Sequence, residues 1–242
     1  INMGNSKSIS RKQNINLEDE RQRQQSNDSS GFKEEYYLPK TEPQIDRLQR
    51  QHFIVQHIFG SNFYCPMEET LNMGARVLDG GCGPGAWLLD MATNYPNSQF
   101  FGVDIEPVYP SQIKPENTNF HQCDLTKLEQ LGFEENSFDM VRTGHLFLSL
   151  SKEDYTKIIE KMLKFPGGYF EISESESILS NGGPKMTRMA NTIVEGLKKS
   201  TELTLNYEKM FLATEQLLNI QQETRVVKIG PPGGIAGELH LS

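Results

Sequence analysis

The first 35 residues form a polar segment in which apolar residues are few and irregularly spaced. Serine, asparagine, glutamine and charged residues dominate it from Ile1 to Glu35. Such a segment cannot bury enough apolar surface to offset the entropy lost on ordering. We therefore predict a disordered tail over residues 1–35 and a folded domain over residues 36–242.

Between Pro43 and Gly60 the hydrophobic pattern changes to helical spacing. Proline is tolerated in the first turn of a helix, and glycine is the usual residue just past its end. The pattern predicts an amphipathic helix that precedes the main fold. Its inner positions are Ile45, Leu48, His52, Val55, Ile58 and Phe59.

From Ala75 onward, short apolar runs alternate with helical patterns. This alternation is typical of a parallel sheet that helices cover on both faces. The sequence therefore predicts an α/β fold with a doubly wound, mostly parallel sheet and a cofactor-binding core at residues 75–175. The predicted strands are Arg76–Asp79, Gln99–Asp104, Asn119–Asp124, Ser137–Thr143 and Tyr169–Ile172, with helices at Ala86–Tyr95 and Lys152–Lys164.

The remaining segment, residues 176–242, is predicted to supply the acceptor side of the domain. Helical patterns run near Thr187–Lys199 and Tyr207–Ile220. A sixth strand is expected at Thr224–Ile229, where apolar residues alternate with charged ones.

The glycine-rich segment Asp79-Gly80-Gly81-Cys82-Gly83-Pro84-Gly85 lies between the first predicted strand and the helix at Ala86. Glycines let the backbone turn sharply and approach a ligand closely. The amide groups and positive dipole end of the following helix point towards such a ligand. We therefore expect a binding site at this loop.

Two ligand classes fit the loop spacing. Gly81, Gly83 and Ala86 also satisfy a relaxed dinucleotide fingerprint, and Asp104 lies near the offset of a ribose-binding carboxylate. Asp79 favours the other class, because a carboxylate at the base of the loop would repel a pyrophosphate. It suits a ligand with an ammonium group, such as the methionine end of S-adenosylmethionine.

Acidic residues are expected at the ends of the first three strands. Asp104 can accept hydrogen bonds from both ribose hydroxyls, and Asp124 can accept one from an adenine amino group. The carboxyl ends of parallel strands meet at one sheet edge, where ligands of such folds bind. The set Asp79, Asp104 and Asp124 therefore predicts a nucleoside site.

These motifs resemble the class I S-adenosylmethionine-dependent methyltransferases. More narrowly, the chain is similar to fungal methyltransferase-like proteins related to the velvet-complex regulator of secondary metabolism. The narrower resemblance is carried by Tyr37-Leu38-Pro39, Asp46-Arg47-Leu48, Gln51-His52, Gly85-Ala86-Trp87, Phe138-Asp139, Arg142, Pro166-Gly167-Gly168-Tyr169 and Gly237-Glu238-Leu239. In related chains a further helix and a final antiparallel strand follow, so we expect that the chain lacks this strand and is either a fragment or an incomplete gene model.

The resemblance implies a role for each site residue. Asp79 with Gly81, Gly83 and Gly85 would hold the methionine portion of the cofactor. The ribose would lie at Asp104 and the following Ile105, and the adenine at Asp124 and Leu125. Arg142 would flank the site of methyl transfer.

Three functions are compatible with this sequence. The leading one is methyl transfer to a small molecule or protein that the sequence does not identify. The second is a non-catalytic regulator that acts through protein contacts, and the third is a nicotinamide-dependent oxidoreductase. Methyl transfer needs a general base only for acceptors that must lose a proton, and His145, after the fourth strand, is the candidate base.

The net charge and the composition restrict the classes of partner and the cellular location that the sequence supports. A net charge of −8 argues against general nucleic-acid binding, which needs a basic surface. No apolar run reaches the ~18 residues of a membrane span. Cys65, Cys82 and Cys123 show no paired spacing, so we predict neither disulfides nor a metal site and favour the cytoplasm.

One N-terminal pattern offers an alternative location. If translation begins at Met3, Gly4 followed four residues later by Ser8 matches an N-myristoylation signal. A single myristoyl chain binds a membrane only weakly. Weak membrane association and a nuclear location are therefore the alternatives to the cytoplasm.

Overall fold

The computed structural model describes residues 41–175, 183–198, 211 and 217–226. Five strands form one sheet in the order β3-β2-β1-β4-β5, and every neighbouring pair is parallel. The predicted α/β fold with a doubly wound parallel sheet is confirmed. The strands are β1 (Arg76–Gly80), β2 (Gln99–Asp104), β3 (Thr118–Gln122), β4 (Phe138–Gly144) and β5 (Pro166–Ser173).

Helices flank this sheet, and the predicted helix before the main fold is present. Two 3₁₀ helices, Leu125–Leu131 and Phe147–Ser149, follow β3 and β4. No helix within the described ranges is long and apolar enough to cross a membrane. The α-helices are α1 (Glu42–Phe59), α2 (Glu68–Met73), α3 (Ala86–Asn94), α4 (Lys152–Met162) and α5 (Gly183–Lys198).

The strand order places a crevice beside β1. The chain moves outward from β1 through β2 to β3, and then returns to place β4 on the other side of β1. The connections after β1 and β4 therefore diverge at the carboxyl edge of the sheet. Such a reversal of strand order is where ligands bind in open parallel sheets.

Apolar side chains of each strand alternate between two buried layers. Val77 and Phe100 pack with α2 and α3 on one face, whereas Leu78 and Val103 pack with α4 and the first 3₁₀ helix on the other. Burial on both faces is expected for the central strands of a parallel sheet. Both layers thus hold the carboxyl ends of β1 and β2 in place.

A single carboxylate of α3 anchors α1 and the turn after it. Asp90 Oδ2 lies 3.1 Å from His52 Nε2 and accepts hydrogen bonds from Gln56 Nε2 at 2.9 Å and Asn62 Nδ2 at 2.8 Å. The end of α1 is defined by Gly60, which has φ 73°. His52 is therefore bound to α3, as a packing residue of α1.

Several predicted boundaries differ from the structure. Strand β3 ends at Gln122, because Asp124 caps the following 3₁₀ helix by accepting a hydrogen bond from the Thr126 amide. The predicted helix Tyr207–Ile220 is wrong at its end, since Leu217–Ile220 are not helical. Asp124 is therefore two residues past its strand.

The predicted strand Thr224–Ile229 is also wrong in its described part. Thr224–Val226 have no regular structure, and Val226 is exposed. Arg225 pairs with Glu223, and both charges lie near Tyr64 in the α1–α2 connection. The alternating pattern therefore reflects an exposed segment near that connection. The predicted tail over residues 1–35, the Gly4 signal and residues 227–229 lie outside the described residues.

Ser98 joins α2, β1 and β2 through a buried hydroxyl. Its Oγ donates to the Leu71 carbonyl at 2.6 Å and accepts from the Ala75 amide at 2.9 Å, and the residue is fully buried. Ser98→Ala would leave both backbone groups unpaired. We expect a loss of about 1–3 kcal/mol in the free energy of unfolding, measured by urea denaturation. The exposed Ser111→Ala is the control, and equal stability of the two variants would contradict this role.

Candidate functional site

The glycine loop after β1 passes repeatedly through the left-handed region of backbone conformation. Gly81, Gly83 and Gly85 have φ values of 75°, 52° and 77°. The amides of Gly81 and Cys82 both donate to the Val103 carbonyl, at 2.8 and 3.1 Å. Residues with a Cβ adopt these angles only at a cost, which explains the glycines.

Two of these glycines have different surroundings. A Cβ on Gly85 would lie 2.8 Å from the ring of Phe120, which stacks on Tyr109 with centroids 4.6 Å apart. A Cβ on Gly83 would meet no atom within 4 Å. Gly85 is therefore required by packing, whereas the backbone at Gly83 borders open space that a ligand can approach.

Asp104 fixes the position of this open segment. One carboxylate oxygen accepts the Gly83 amide at 2.7 Å, and the other accepts the Glu106 amide at 2.9 Å. Burial raises the pKa of Asp104, although these hydrogen bonds oppose the shift. The following Ile105 is 45% exposed. Asp104 thus lies at the end of β2 and binds the loop directly.

Asp79 and Arg142 form an ion pair across β1 and β4. Their strands place them in register, and Asp79 Oδ1 lies 3.3 Å from Arg142 Nη1. The guanidinium lies 4.2 Å from the ring centroid of Trp87 at the start of α3, within the range of a cation–π contact. All three side chains are buried. Burial raises the pKa of Asp79 to about 6, and the charge of Arg142 opposes this shift.

Two glutamates of the β5 segment complete an acidic cluster that sequence reasoning missed. Glu171 is in register with Arg142, and Glu174 follows the end of β5. Burial raises the pKa of both carboxyls, that of Glu174 to about 7, and Arg142 opposes both shifts. Only the β4–β5 register could have revealed that Glu171 faces Arg142.

Asp124 and Leu125 lie beyond the end of β3. Asp124 Oδ1 accepts from Thr126, whereas its buried Oδ2 has no hydrogen-bond partner among the described residues. Lys127 Nζ lies 3.7 Å from that oxygen. Leu125 is buried in the apolar layer with Leu78. The structure therefore leaves one buried oxygen of Asp124 unbonded.

His145 follows β4 in an unusual conformation. Its φ is 55°, and its Nδ1 lies 3.2 Å from Ser175 Oγ. Burial and the nearby charges of Arg142, Arg47 and His52 lower the pKa of His145 to about 4. The imidazole is consequently neutral and a weak base at neutral pH. Within the described ranges, no group of three His, Cys, Asp or Glu side chains is arranged to hold a metal ion.

The structure brings the glycine loop, Asp79, Asp104 and Arg142 together at the carboxyl edge of the sheet. Residues 71–225 match a family model described as a methyltransferase domain. The chain belongs to this methyltransferase family. As a class I methyltransferase it has S-adenosylmethionine as its cofactor, and this family decides against the nicotinamide-dependent oxidoreductase.

Curated relatives of this methyltransferase are fungal. The chain is 32% identical over 152 residues to the secondary metabolism regulator laeA of Coprinopsis cinerea, covering 60% of this chain and 37% of that protein. It is 36% identical over 88 residues to the protein-methionine methyltransferase laeA of Emericella nidulans, covering 36% and 22%. The aligned region thus spans about a third or less of these relatives.

Solved structures similar to this methyltransferase include PKMT2 from Rickettsia typhi in complex with AdoHcy. That match has 26% identity and a TM-score of 0.37, and it covers 46% of this chain and 25% of that one. Magnesium protoporphyrin IX methyltransferase from Synechocystis, with bound SAH, matches with 14% identity and a TM-score of 0.39. It covers 62% of this chain and 63% of that one.

Gly83→Ala tests whether a ligand approaches the loop at this position, and a matched control accounts for the strain that a Cβ causes at positive φ. We expect Gly83→Ala to weaken binding of S-adenosylhomocysteine by roughly tenfold or more, because its Cβ would occupy the open space beside the loop. Gly132→Ala is the matched control, since Gly132 has φ 70° and equally open surroundings. Calorimetric titration measures both affinities. Equal affinities would contradict a binding role for Gly83.

Proposed function

We propose that this domain binds S-adenosylmethionine at the glycine loop and transfers its methyl group to the thioether of a protein methionine. The observation that carries the cofactor part is the buried ion pair of Asp79 and Arg142 at the carboxyl edge of the sheet, together with the open backbone of Gly83, which Asp104 holds. The proposal of methionine as the acceptor rests on the protonation and hydrogen bonding of the nearby titratable groups and on the activity named for one relative.

The polar groups at β1 and β4 fit the methionine end of the cofactor. Asp79 would hold the ammonium group, since a buried carboxylate favours a nearby positive charge. Arg142 Nε is buried and has no hydrogen-bond partner among the described residues. It would donate to the carboxylate of the cofactor, so that a buried polar atom gains the partner it requires.

The groups at β2 and β3 fit the adenosine end. Asp104 Oδ1 and Oδ2 each accept one amide, and each carboxylate oxygen can accept a second hydrogen bond. They would accept the ribose hydroxyls. The unbonded Oδ2 of Asp124 would accept the adenine amino group, with Ile105 and Leu125 as apolar neighbours.

The local charge also suits this cofactor. Asp79, Glu171 and Glu174 all interact with the charge of Arg142, and Asp104 raises the pKa of Asp79. When bound, S-adenosylmethionine supplies an electrophilic methyl group on a positively charged sulfur. An acidic environment stabilises that net positive charge, whereas it disfavours an anionic dinucleotide.

The titratable side chains described near Arg142 are already bound to other groups or are weak bases. His145 is a weak base, and Glu174 and Glu171 each accept backbone amides. His52 is bound to Asp90. A thioether loses no proton when it is methylated, because a carbon–sulfur bond forms as another breaks and the positive charge passes to the acceptor. These properties support a methionine acceptor, in agreement with the name of the Emericella nidulans relative.

The pKa of Asp79 makes cofactor binding dependent on pH. The ammonium group requires the deprotonated carboxylate, so affinity for S-adenosylhomocysteine should be constant above about pH 7. Below pH 6 it should fall by up to roughly tenfold per pH unit, since protons compete with the ligand for Asp79. Affinity falls towards low pH because protonation removes the negative charge of Asp79. The raised pKa of about 6 places this protonation within the pH range of the titration.

Two variants isolate the contribution of Asp79. Asp79→Asn should bind weakly at every pH and lose most of the pH dependence, leaving the smaller contributions of Asp104, Glu171 and Glu174. The exposed Asp46→Asn on α1 should behave as the native protein does. Calorimetric titration between pH 5 and pH 8 tests this expectation, and an unchanged pH profile in Asp79→Asn would refute the assignment.

Radiolabelled cofactor tests the acceptor. With methyl-tritiated S-adenosylmethionine, a random peptide library with a fixed central methionine should gain label. The same library with norleucine in that position should gain none, since norleucine has the same shape but no sulfur. Equal labelling of both libraries, or label recovered on lysine or arginine after digestion, would exclude methionine as the acceptor.

A further inference from the structure

The segment after β4 is held by Ser173, the last residue of β5, and by the two residues that follow it. The His145 amide donates to the Ser173 carbonyl at 2.9 Å, and His145 Nδ1 lies 3.2 Å from Ser175 Oγ. Between them, Glu174 Oε1 accepts the amides of Leu146 at 2.9 Å and Phe147 at 3.0 Å. One carboxylate oxygen therefore satisfies two successive backbone donors at the start of a 3₁₀ helix.

This contact restrains a segment that has an unfavourable backbone conformation. His145 has φ 55°, a conformation that is unfavourable for a residue other than glycine and persists only where neighbouring contacts enforce it. Glu174 supplies such contacts on the residues that directly follow. Tyr155 of α4 also donates to Glu174 Oε1 at 3.4 Å, so the carboxylate is held from a second side.

The restrained segment touches the glycine loop. A Cβ on Gly81 would lie 3.0 Å from Leu146 Cδ1, and the other nearest atoms belong to the same side chain. Leu146 therefore packs against the backbone of Gly81, which has φ 75°. A displacement of Leu146 would therefore remove the side chain that supplies the three atoms nearest to that position.

We propose that Glu174 is a positioning residue for the cofactor site, which acts by holding Leu146 against the Gly81 backbone. Glu174 itself binds no part of the cofactor. It orders the segment after β4, and this segment in turn supports the first turn of the glycine loop. The inference rests on the proposed binding of S-adenosylmethionine at that loop.

Three variants separate the hydrogen bonds of Glu174 from its charge. Glu174→Ala should weaken affinity for S-adenosylhomocysteine by roughly tenfold, because the Leu146 and Phe147 amides lose their acceptor. Glu174→Gln should restore affinity to within roughly twofold of native, since its amide oxygen accepts both donors without a charge. The exposed Glu160→Ala on α4 is the matched control and should bind as the native protein does.

A fourth variant covers the case in which Glu174→Ala fails to fold. Leu146→Ala leaves the Glu174 hydrogen bonds in place and removes the contact with Gly81, so it should weaken binding by roughly fivefold. Trp87 is the only tryptophan of the chain, and it lies on Arg142 beside the loop. Its fluorescence measures binding in every variant, and circular dichroism with the thermal midpoint measures folding.

The outcomes distinguish this inference from the proposed function. If the native protein binds no S-adenosylhomocysteine, the cofactor site itself is wrong. If it binds and a folded Glu174→Ala binds equally well, only the role of Glu174 is wrong. Affinity in Glu174→Gln as low as in Glu174→Ala would also overturn the inference, since the charge would then be what matters. Native affinity in Leu146→Ala would show that the contact with Gly81 has no effect.

Discussion

Asp79 and Arg142 meet in the centre of the sheet, where both residues are buried. Removing two charges from water costs several kcal/mol per ion, and loss of one partner from such a pair is strongly destabilising. The pair is compensated by its 3.3 Å contact and by the face of Trp87. It joins β1, β4 and α3 at the one edge of the sheet where the glycine loop turns.

The other features of the site follow from this pair. Among the described residues Arg142 is the one buried cation, and its charge acts on Asp79, Glu171 and Glu174 together. The excess of carboxylates at this edge of the sheet is the basis for proposing a ligand with net positive charge. Glu171, Asp104 and Glu174 accept backbone amides from three different connections, so carboxylates at this edge also hold the loops around the proposed site.

The sequence predicted the parts of the site that depend on local pattern. The glycine loop, Asp79 and Asp104 were recognisable because a strand, a turn and a helix succeed one another there within a few residues. Glu171 and Glu174 were missed, since their importance depends on the pairing of β5 with β4 and on the course of the chain after β4. No local pattern specifies either.

The wrong prediction of a strand near the end of the domain has a related cause. Alternation of apolar and charged residues at Thr224–Val226 is compatible with a strand, but a strand also needs a partner edge. Glu223 and Arg225 instead lie near Tyr64, and Tyr64 is itself held by Glu171. The strand end predicted at Asp124 is wrong because this residue caps a 3₁₀ helix, where it accepts hydrogen bonds from the amide and the hydroxyl of Thr126.

A carboxylate-rich site around Arg142 should select S-adenosylmethionine over a dinucleotide. The most direct measurement is calorimetric titration of the native chain with S-adenosylmethionine, S-adenosylhomocysteine and NAD in parallel at pH 7.5. The account predicts saturable binding of both sulfur compounds, with no detectable binding of NAD. Binding of NAD with equal or higher affinity than S-adenosylmethionine would contradict it.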